Sequence, residues 1–388
     1  MQLYIHVPFC RKKCAYCAFY SVALPEGRTG ADLARDYLSG LLGELRYWGE
    51  RLGPVSVSTV FFGGGTPSLL PARALGGILE ATARYFSLAS GAEISAEANP
   101  ESALADGWLF EARRAGLTRL SLGVQSFDNR RLAVLGRVHD ARTAEAAFHT
   151  ARSAGFGNIS LDLMWGLPGE NGRPQAQMQW LAELERAVEL RPEHISAYGF
   201  TVEEGTPIAG DCERGRLALP DEKAAASMYL TGAEYLQSHG YMQYEISNYS
   251  RMGFACRHNL GYWEGEDYLG IGPAAVSTLN RTRRTNPEDI GAWLENVKNG
   301  VPANDAEELD DAALCKERLM LGLRTAKGLD LKDWNARWGG DFLKTHAPLI
   351  KLLQKEGLAA TRQGRLRLTR TGMLVSDAIL AHFFERLE

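Results

Sequence analysis

No apolar run in the 388 residues approaches the ~20 needed to cross a bilayer, so no membrane-spanning helix is expected. The start carries no basic segment leading into an apolar one. Met1 passes through Gln2-Leu3 straight into a strand-like run, which argues against a secretory leader. Net charge is small: 43 Lys and Arg stand against 47 Asp and Glu, a formal charge of −4. That balance offers nothing to a nucleic-acid backbone or an anionic membrane. Cysteine is scarce, and Cys212, Cys256 and Cys315 lie far apart with no paired pattern. They read as buried thiols of a chain in a reducing cytoplasm. Low-complexity segments are missing too, and the length suits one large domain with a small one.

The other three cysteines are close together. Cys10, Cys14 and Cys17 lie within eight residues, with gaps of three and two, after the apolar run Leu3–Val7. Thiolates are the ligands of iron–sulfur clusters, and a cubane takes four. Three on one loop leave one iron open to a small molecule with an amine and a carboxylate. Zinc sites pair two Cys-x-x-Cys units or add histidines, and no second cysteine pair is present. The three-and-two spacing resembles the signature of the radical S-adenosylmethionine (radical SAM) family.

Downstream, strands alternate with helices of 10 to 15 residues. Strands are predicted at 3–7, 55–62, 93–99, 119–124, 158–164 and 194–200. Helices are predicted at 32–52, 71–85, 101–115, 141–154 and 175–190. Such alternation indicates parallel βαβ units, here six, hence an α/β fold with a partial (β/α)6 barrel. Functional residues should sit at the C-terminal ends of its strands. Cys10, Gly63-Gly64-Gly65, Glu97, Gln125 and Asp162 fall there. A glycine run at a strand end lets backbone N–H groups approach a ligand, although it is equally a tight turn. Asn299-Gly300-Val301-Pro302 reads as a linker. Beyond it, helices and a hairpin over Gln363-Gly364 predict a small C-terminal winged-helix-like domain, whose helix 342–356 is not basic enough for DNA. The expected domains are 1–220 for the barrel, 221–302 for its extension and 303–388 for the C-terminal module.

Tyr4-x-His6-x-Pro8-Phe9-Cys10, Gly63-Gly64-Gly65-Thr66-Pro67, Glu97-Ala-Asn-Pro100, Gly123-Val-Gln125-Ser-Phe127, Gly136-Arg137 and Asp162-Leu-Met-Trp-Gly166-Leu-Pro168-Gly169 resemble the oxygen-independent coproporphyrinogen III oxidase branch of the radical SAM family. The likeness runs from Tyr4 to about Asp377. It implies that Cys10, Cys14 and Cys17 hold a [4Fe–4S] cluster. It further implies that Tyr4, Tyr16, Gly64, Gly65, Thr66, Glu97, Gln125, Arg137 and Asp162 line an S-adenosyl-L-methionine (SAM) site. On their residue types alone, Arg137 and Asp162 read as well as polar groups satisfied inside the barrel. His6 reads as structural.

Two departures separate the chain from the oxidases. They carry a further cysteine two residues after the third ligand, where Phe19 stands, and an extension before the first strand, where only three residues precede Tyr4. Both departures, with His258-Asn259-x-x-Tyr262-Trp263, resemble the HemW haem chaperones of the same branch. An imidazole is a common axial ligand of haem iron, and Tyr262 and Trp263 offer aromatic faces to a porphyrin. On spacing alone the motif is also a loop whose His-Asn pair caps local backbone. The resemblance implies His258 as haem-iron ligand, with Asn259, Tyr262 and Trp263 shaping the site in a loop over the barrel mouth. It implies a chaperone that passes haem to acceptors such as respiratory-chain proteins, not a coproporphyrinogen dehydrogenase. Peripheral membrane contact is left open. Arg281, Arg283 and Arg284 read as a solvated face.

Overall fold

Runs rich in β-branched and aromatic residues, bounded by Gly and Pro, become strands. In this computed structural model, which describes residues 1–300 and 305–385, six of them pair in parallel and in chain order. They are β1 (Gln2–Val7), β2 (Ser56–Gly64), β3 (Ser87–Ala98), β4 (Arg119–Gln125), β5 (Ile159–Trp165) and β6 (His194–Gly199). Helices α1 (Gly27–Leu52), α2 (Ala72–Tyr85), α3 (Trp108–Arg114), α4 (Ala141–Ser153) and α5 (Gln177–Leu190) make the crossovers. The core between the layers holds Leu3, Ile5, Val60, Phe62, Leu120, Leu161 and Ile195, all fully buried.

Two helices depart from their expected limits. α1 starts at Gly27 rather than Asp32, because Gly30 lets the Pro25 carbonyl lie against the first turn; a Cβ there would meet that oxygen at 1.8 Å. The helix expected over 101–115 breaks at Asp106 (φ 48°) and Gly107 (φ 70°), left-handed conformations that a helix interior does not hold.

After β6 come α6 (Pro207–Glu213) and α7 (Glu222–Ser238). The strand-like run 241–249 forms two short strands, β7 (Met242–Gln243) and β8 (Asn248–Ser250), and β8 pairs antiparallel with β6. α8 (Arg257–Glu264) leads to β9 (Tyr268–Ile271), parallel to β1 on the side away from β2. β10 (Val276–Leu279), β11 (Thr282–Thr285) and β12 (Asp305–Glu308) extend that edge antiparallel, with α9 (Ile290–Lys298) between the last two. The sheet ends at β7 and β12 without pairing them, so the barrel is partial. The expected linker passes outside the described residues at 301–302.

The C-terminal module has its own core, including Leu319, Trp334, Phe342, Leu366 and Phe383. It comprises α10 (Asp311–Leu323), β13 (Leu329–Asp330), α11 (Leu331–Trp338), α12 (Phe342–Thr345), α13 (Ala347–Lys355), β14 (Ala359–Arg362), β15 (Arg365–Leu368) and α14 (Ser376–Phe384). The helix expected over 342–356 divides at His346 because Pro348, in the first turn of α13, has no N–H to continue it. The hairpin turns over Gln363 (φ 52°) and Gly364 (φ 72°), the left-handed pair of a type I′ turn. The sequence pattern predicts a last helix over 373–387, whose end lies outside the described residues from 386.

The arginines at 281, 283 and 284 form the expected solvated face only in part: Arg281 is exposed, and Arg283 and Arg284 are half-buried. Arg281 pairs with Asp311 at 2.8 Å and Arg283 with Glu317 at 2.6 Å, while Arg284 lies over the Trp48 ring. Two of the three tie the sheet edge to α10. Cys256 and Cys315 are buried as expected, but Cys212 is partly exposed. Among the described residues, no helix is long and apolar enough to cross a membrane.

One buried carboxyl joins α1 to the sheet. Glu44 is fully buried and accepts hydrogen bonds from Gly272 N–H (2.9 Å), Asn286 Nδ2 (2.8 Å) and Trp293 Nε1 (2.9 Å). Burial pushes its acid up to about 7 against those bonds. Between the unfolded carboxyl's ordinary pH range and pH 7 the folded chain therefore holds a proton that the unfolded chain lacks, so stability falls as pH rises through that window. Relative to Glu44→Gln, the wild type is expected to lose on the order of 3 kcal/mol from pH 4.5 to pH 7, read from urea midpoints. Parallel profiles of the two proteins would disprove this.

Candidate functional site

The cysteine loop is held from both sides by backbone bonds. Phe9–Cys10 pairs with Val22–Ala23. The Thr66 N–H donates to the Phe9 carbonyl (2.7 Å), the Ala15 N–H to Leu135 O (3.0 Å), and the Ile208 N–H of α6 to Ala15 O (3.1 Å). The thiols meet two donors: Thr66 Oγ1 lies 3.5 Å from Cys10 Sγ and Arg137 Nη1 lies 3.4 Å from Cys14 Sγ. Burial raises the Cys17 thiol, and charge on Cys14 and Cys10 raises it further. Three thiolates so close repel unless positive charge joins them, which is what cluster irons supply. Among the described residues no three His, Cys, Asp or Glu side chains gather as ligands of a single ion. A cubane instead spreads its thiolates, one to an iron. The donor set fits such a cluster.

The glycine run does something other than expected. The Gly65 N–H donates to Val7 O at 2.7 Å, and the Gly64 N–H faces Glu97 Oε2 at 3.2 Å. These groups are engaged within the protein. What glycine permits is closeness. A Cβ on Gly64 (φ +105°) would meet the His6 ring at 2.5 Å, and one on Gly65 would meet Phe9 O at 2.6 Å. His6 is structural: its Nε2 faces the Tyr20 carbonyl (3.1 Å), so that nitrogen carries the hydrogen and Nδ1 accepts from Tyr4 OH (3.1 Å).

Behind the loop the lumen holds the polar residues expected there. Arg137 donates to Asn99 Oδ1 (2.6 Å) and Gly123 O (2.7 Å) besides reaching Cys14. Gln125 has φ +67°, at a register break in the pairing of β4 with β5. The bulge re-aims that side chain toward Gly123, where a Cβ would crowd Gln125 Nε2 at 3.2 Å. Glu97 is raised to about 8, by burial first and then by Asp162. Asp162 is also raised, by burial, although Ser121, Ser160 and Ser196 hydroxyls donate to it at 2.7 to 3.2 Å. Two raised carboxyls in one lumen call for a cation, and SAM carries an ammonium and a sulfonium. Tyr16, beside Cys14 and Arg137, is raised by burial. Thr66 is buried between Cys10 and Asn99. Asn99 and the three serines went unassigned in the sequence. Ser160-x-Asp162 and His194-x-Ser196 share the two-residue strand period, the signal that places them on one face.

The haem motif lies elsewhere. His258, Asn259, Tyr262 and Trp263 are on helix α8, not in a loop, at the end of the barrel opposite the cysteines. Gln2, at the start of β1, donates through Nε2 to His258 O at 3.0 Å. Glu93 Oε1 accepts from the Arg257 and His258 N–H groups at 3.0 and 3.3 Å, a carboxylate at the helix N-terminus, where the dipole favours it. The His258 ring is 1% exposed. Nδ1 meets Thr59 Oγ1 at 2.7 Å, Nε2 meets Tyr262 OH at 3.1 Å, and the ring stacks on Phe61 at 4.9 Å. Burial lowers its basicity to about 3. The expectation of a loop over the mouth is corrected by this packing: α8 closes the barrel floor. Asn259 and Trp263 are partly buried on the same helix.

The radical SAM superfamily model matches residues 4–180 and the HemN C-terminal domain model matches residues 309–375. The haem chaperone HemW of Mycobacterium tuberculosis is 37% identical over 97% of this chain and 93% of that protein. HemW of Escherichia coli is 39% identical over 79% of each chain. The mitochondrial radical S-adenosyl methionine domain-containing protein 1 of Bos taurus is 34% identical over 100% of this chain and 88% of that one. Among solved structures, the coproporphyrinogen III oxidase HemN of Escherichia coli superposes with a TM-score of 0.81 at 24% identity, over 98% of this chain and 89% of that one. That likeness is one of fold.

Proposed function

The chain belongs to the HemW family, in the coproporphyrinogen-oxidase-like branch of the radical SAM superfamily, and from there we propose that it binds haem and hands it to haem-requiring acceptors, respiratory-chain proteins among them, in the cytoplasm. The observation that carries this over dehydrogenase chemistry is Phe19, 71% exposed beside the cluster loop, where the oxidases place a further cysteine. An apolar ring there supplies neither a ligand nor a proton donor.

Cys10, Cys14 and Cys17 hold the [4Fe–4S] cluster in this reading, and Glu97, Gln125, Arg137, Asp162, Tyr4, Tyr16, Thr66 and the backbone of Gly64–Gly65 surround SAM. When bound, the cluster supplies one iron for the SAM amine and carboxylate and an electron for its cleavage. Arg137 fixes the loop to the lumen by linking Cys14 to Asn99 and the Gly123 carbonyl. Glu97, raised to about 8 by burial and then by Asp162, gives up a proton when a cationic ligand enters beside it.

His258 is the proposed haem-iron ligand, and its packing sets a condition. The ring reaches iron only after α8 leaves Thr59, with Tyr262 releasing Nε2. Asn259, Tyr262 and Trp263 move with it. Two parallel assays on anaerobically reconstituted protein test the function. Haemin is expected to bind with micromolar affinity, about −8 kcal/mol, while coproporphyrinogen III with SAM and reductant yields no protoporphyrinogen. His258→Ala is expected to shift the Soret band and weaken its site at least about tenfold, ~1.4 kcal/mol, with cluster content unchanged. Catalytic porphyrin product would restore the dehydrogenase. An unaltered Soret band would leave His258 a packing residue.

A further inference from the structure

Three consecutive cations stand between the first two cluster cysteines. Arg11, Lys12 and Lys13 are all exposed, and among the described residues none of them is in an ion pair. Exposed arginines elsewhere find partners, as Arg186 does with Glu145 and Glu189 and Arg214 with Asp211. The whole chain carries a formal charge of −4. The triplet is therefore a positive spot on a weakly negative molecule.

An apolar surface adjoins it. Phe19 is 71% exposed. Its N–H bonds to the Cys17 thiol, and Lys13 lies near enough to act on the same sulfur. Val138 is exposed as well, next to Arg137, which reaches Cys14. A bare ring with cations at its side has the make-up of a small protein interface, apolar at its centre and polar at its rim. On the adjoining loop before α6, Glu203 and Glu204 are exposed. Like charge there turns an acidic partner toward the 11–13 side of the mouth.

The position says what such a partner would do. α8 closes the far end of the barrel, and Cys10, Cys14 and Cys17 are partly exposed at this one. Anything seated on residues 11–13 is within a few residues of the cluster irons. In the reading above the cluster supplies an electron for SAM cleavage. Cys212, Cys256 and Cys315 are too scattered to hold a second cluster that could relay one, so the electron comes from another molecule.

We propose that Arg11, Lys12, Lys13 and Phe19 form the docking surface for an acidic one-electron carrier protein, of the flavin or iron–sulfur class, which reduces the [4Fe–4S] cluster. The carrier gives up one electron and the cluster passes from its 2+ to its 1+ state; no bond forms or breaks. Such carriers meet their partners briefly, through interfaces under about 1,200 Å², and a patch of four side chains suits that. Opposite charge there raises the encounter rate and fixes the orientation more than it adds affinity. Three cations are fewer than the roughly four to eight by which a polybasic segment holds an anionic membrane. The proposal rests on the cluster assignment of the proposed function.

Two reductants separate docking from the cluster itself. Reconstituted full-length protein is mixed anaerobically with reduced plant-type ferredoxin, an acidic carrier, or with the methyl viologen radical, a small cation. The rise of the reduced-cluster electron paramagnetic resonance signal is timed. The ferredoxin rate is expected to fall at least about tenfold between about 0.05 and 0.5 M salt, as screening shortens the field of the patch. Lys12→Glu with Lys13→Glu should slow ferredoxin about tenfold at low salt, and Phe19→Ser should slow it several-fold. Neither variant should lose iron or be reduced more slowly by the viologen. A ferredoxin rate that ignores salt, or that is unchanged in the charge-reversed protein, would overturn the docking surface. So would a wild type that the viologen reduces and the ferredoxin does not. Charge-dependent binding to phosphatidylglycerol vesicles, with the ferredoxin rate unchanged by the substitutions, would assign the patch to a membrane instead. A wild type that takes up no iron would overturn the cluster assignment, and the docking surface with it.

Discussion

Replacing Cys10, Cys14 and Cys17 together by Ser is expected to remove essentially all of the roughly four irons per chain that the wild type takes up under anaerobic reconstitution. The three thiols are the only cysteines on the loop, and Thr66 Oγ1 and Arg137 Nη1 already point at two of them. Cys256 and Cys315 are buried elsewhere, Cys256 with its thiol against Glu93 at 3.5 Å, and cannot take over. Each single serine variant should lose most of its iron, because a hydroxyl is a poor substitute for a thiolate. Iron and sulfide analysis with the visible absorption of the cluster reads the result. A triple variant that retained a full cluster would mean that other residues hold it.

Arg137→Ala should cause a second large loss, in stability as well as in the cluster. The guanidinium joins the cluster loop, the Asn99 turn and the β4 bulge. Its removal leaves an amide oxygen, a carbonyl and a thiol in a buried place without their donor. A cost of about 3 kcal/mol follows, the usual penalty for breaking a buried charged network. Lysine should not rescue it, since a single ammonium cannot reproduce the fork that spans three acceptors. Urea denaturation of the apoprotein measures the first effect, and iron uptake after reconstitution the second. A midpoint shift worth less than about 0.5 kcal/mol, the range of ordinary surface changes, would show that Arg137 only lines the lumen.

The sequence disclosed the barrel well because its signals are local and strong. Val60 and Phe62 of β2, and the Gly53 stop of α1, needed no tertiary context. Cys10, Cys14 and Cys17 were legible by spacing, and Glu97, Gln125 and Asp162 by their place at strand ends. What failed was information carried by contacts far apart in the chain. The 256–264 segment reads as a polar–aromatic loop until Glu93, 165 residues earlier than His258, caps it as a helix. The glycine run reads as backbone N–H groups open to a ligand until Val7 and Glu97 claim them. Arg283 reads as solvated until α10 brings Glu317. Gln125 shows the converse: a non-glycine residue at φ +67° is invisible in sequence, yet it marks the bulge that turns the side chain inward.

The pairing of β1 has a consequence for biosynthesis. Its residues Gln2–Ile5 lie between β2 and β9, and the β9 partners are Tyr268–Ile271. This strand is therefore made more than 260 residues before the second of its neighbours. Until residue 271 has been made, the strand that carries the cysteine loop has one edge open. At ~5–20 residues per second, that leaves the nascent thiols without their finished scaffold for a dozen seconds or more. A metal taken up through those thiols would then be held by a finished scaffold only after residue 271 is in place.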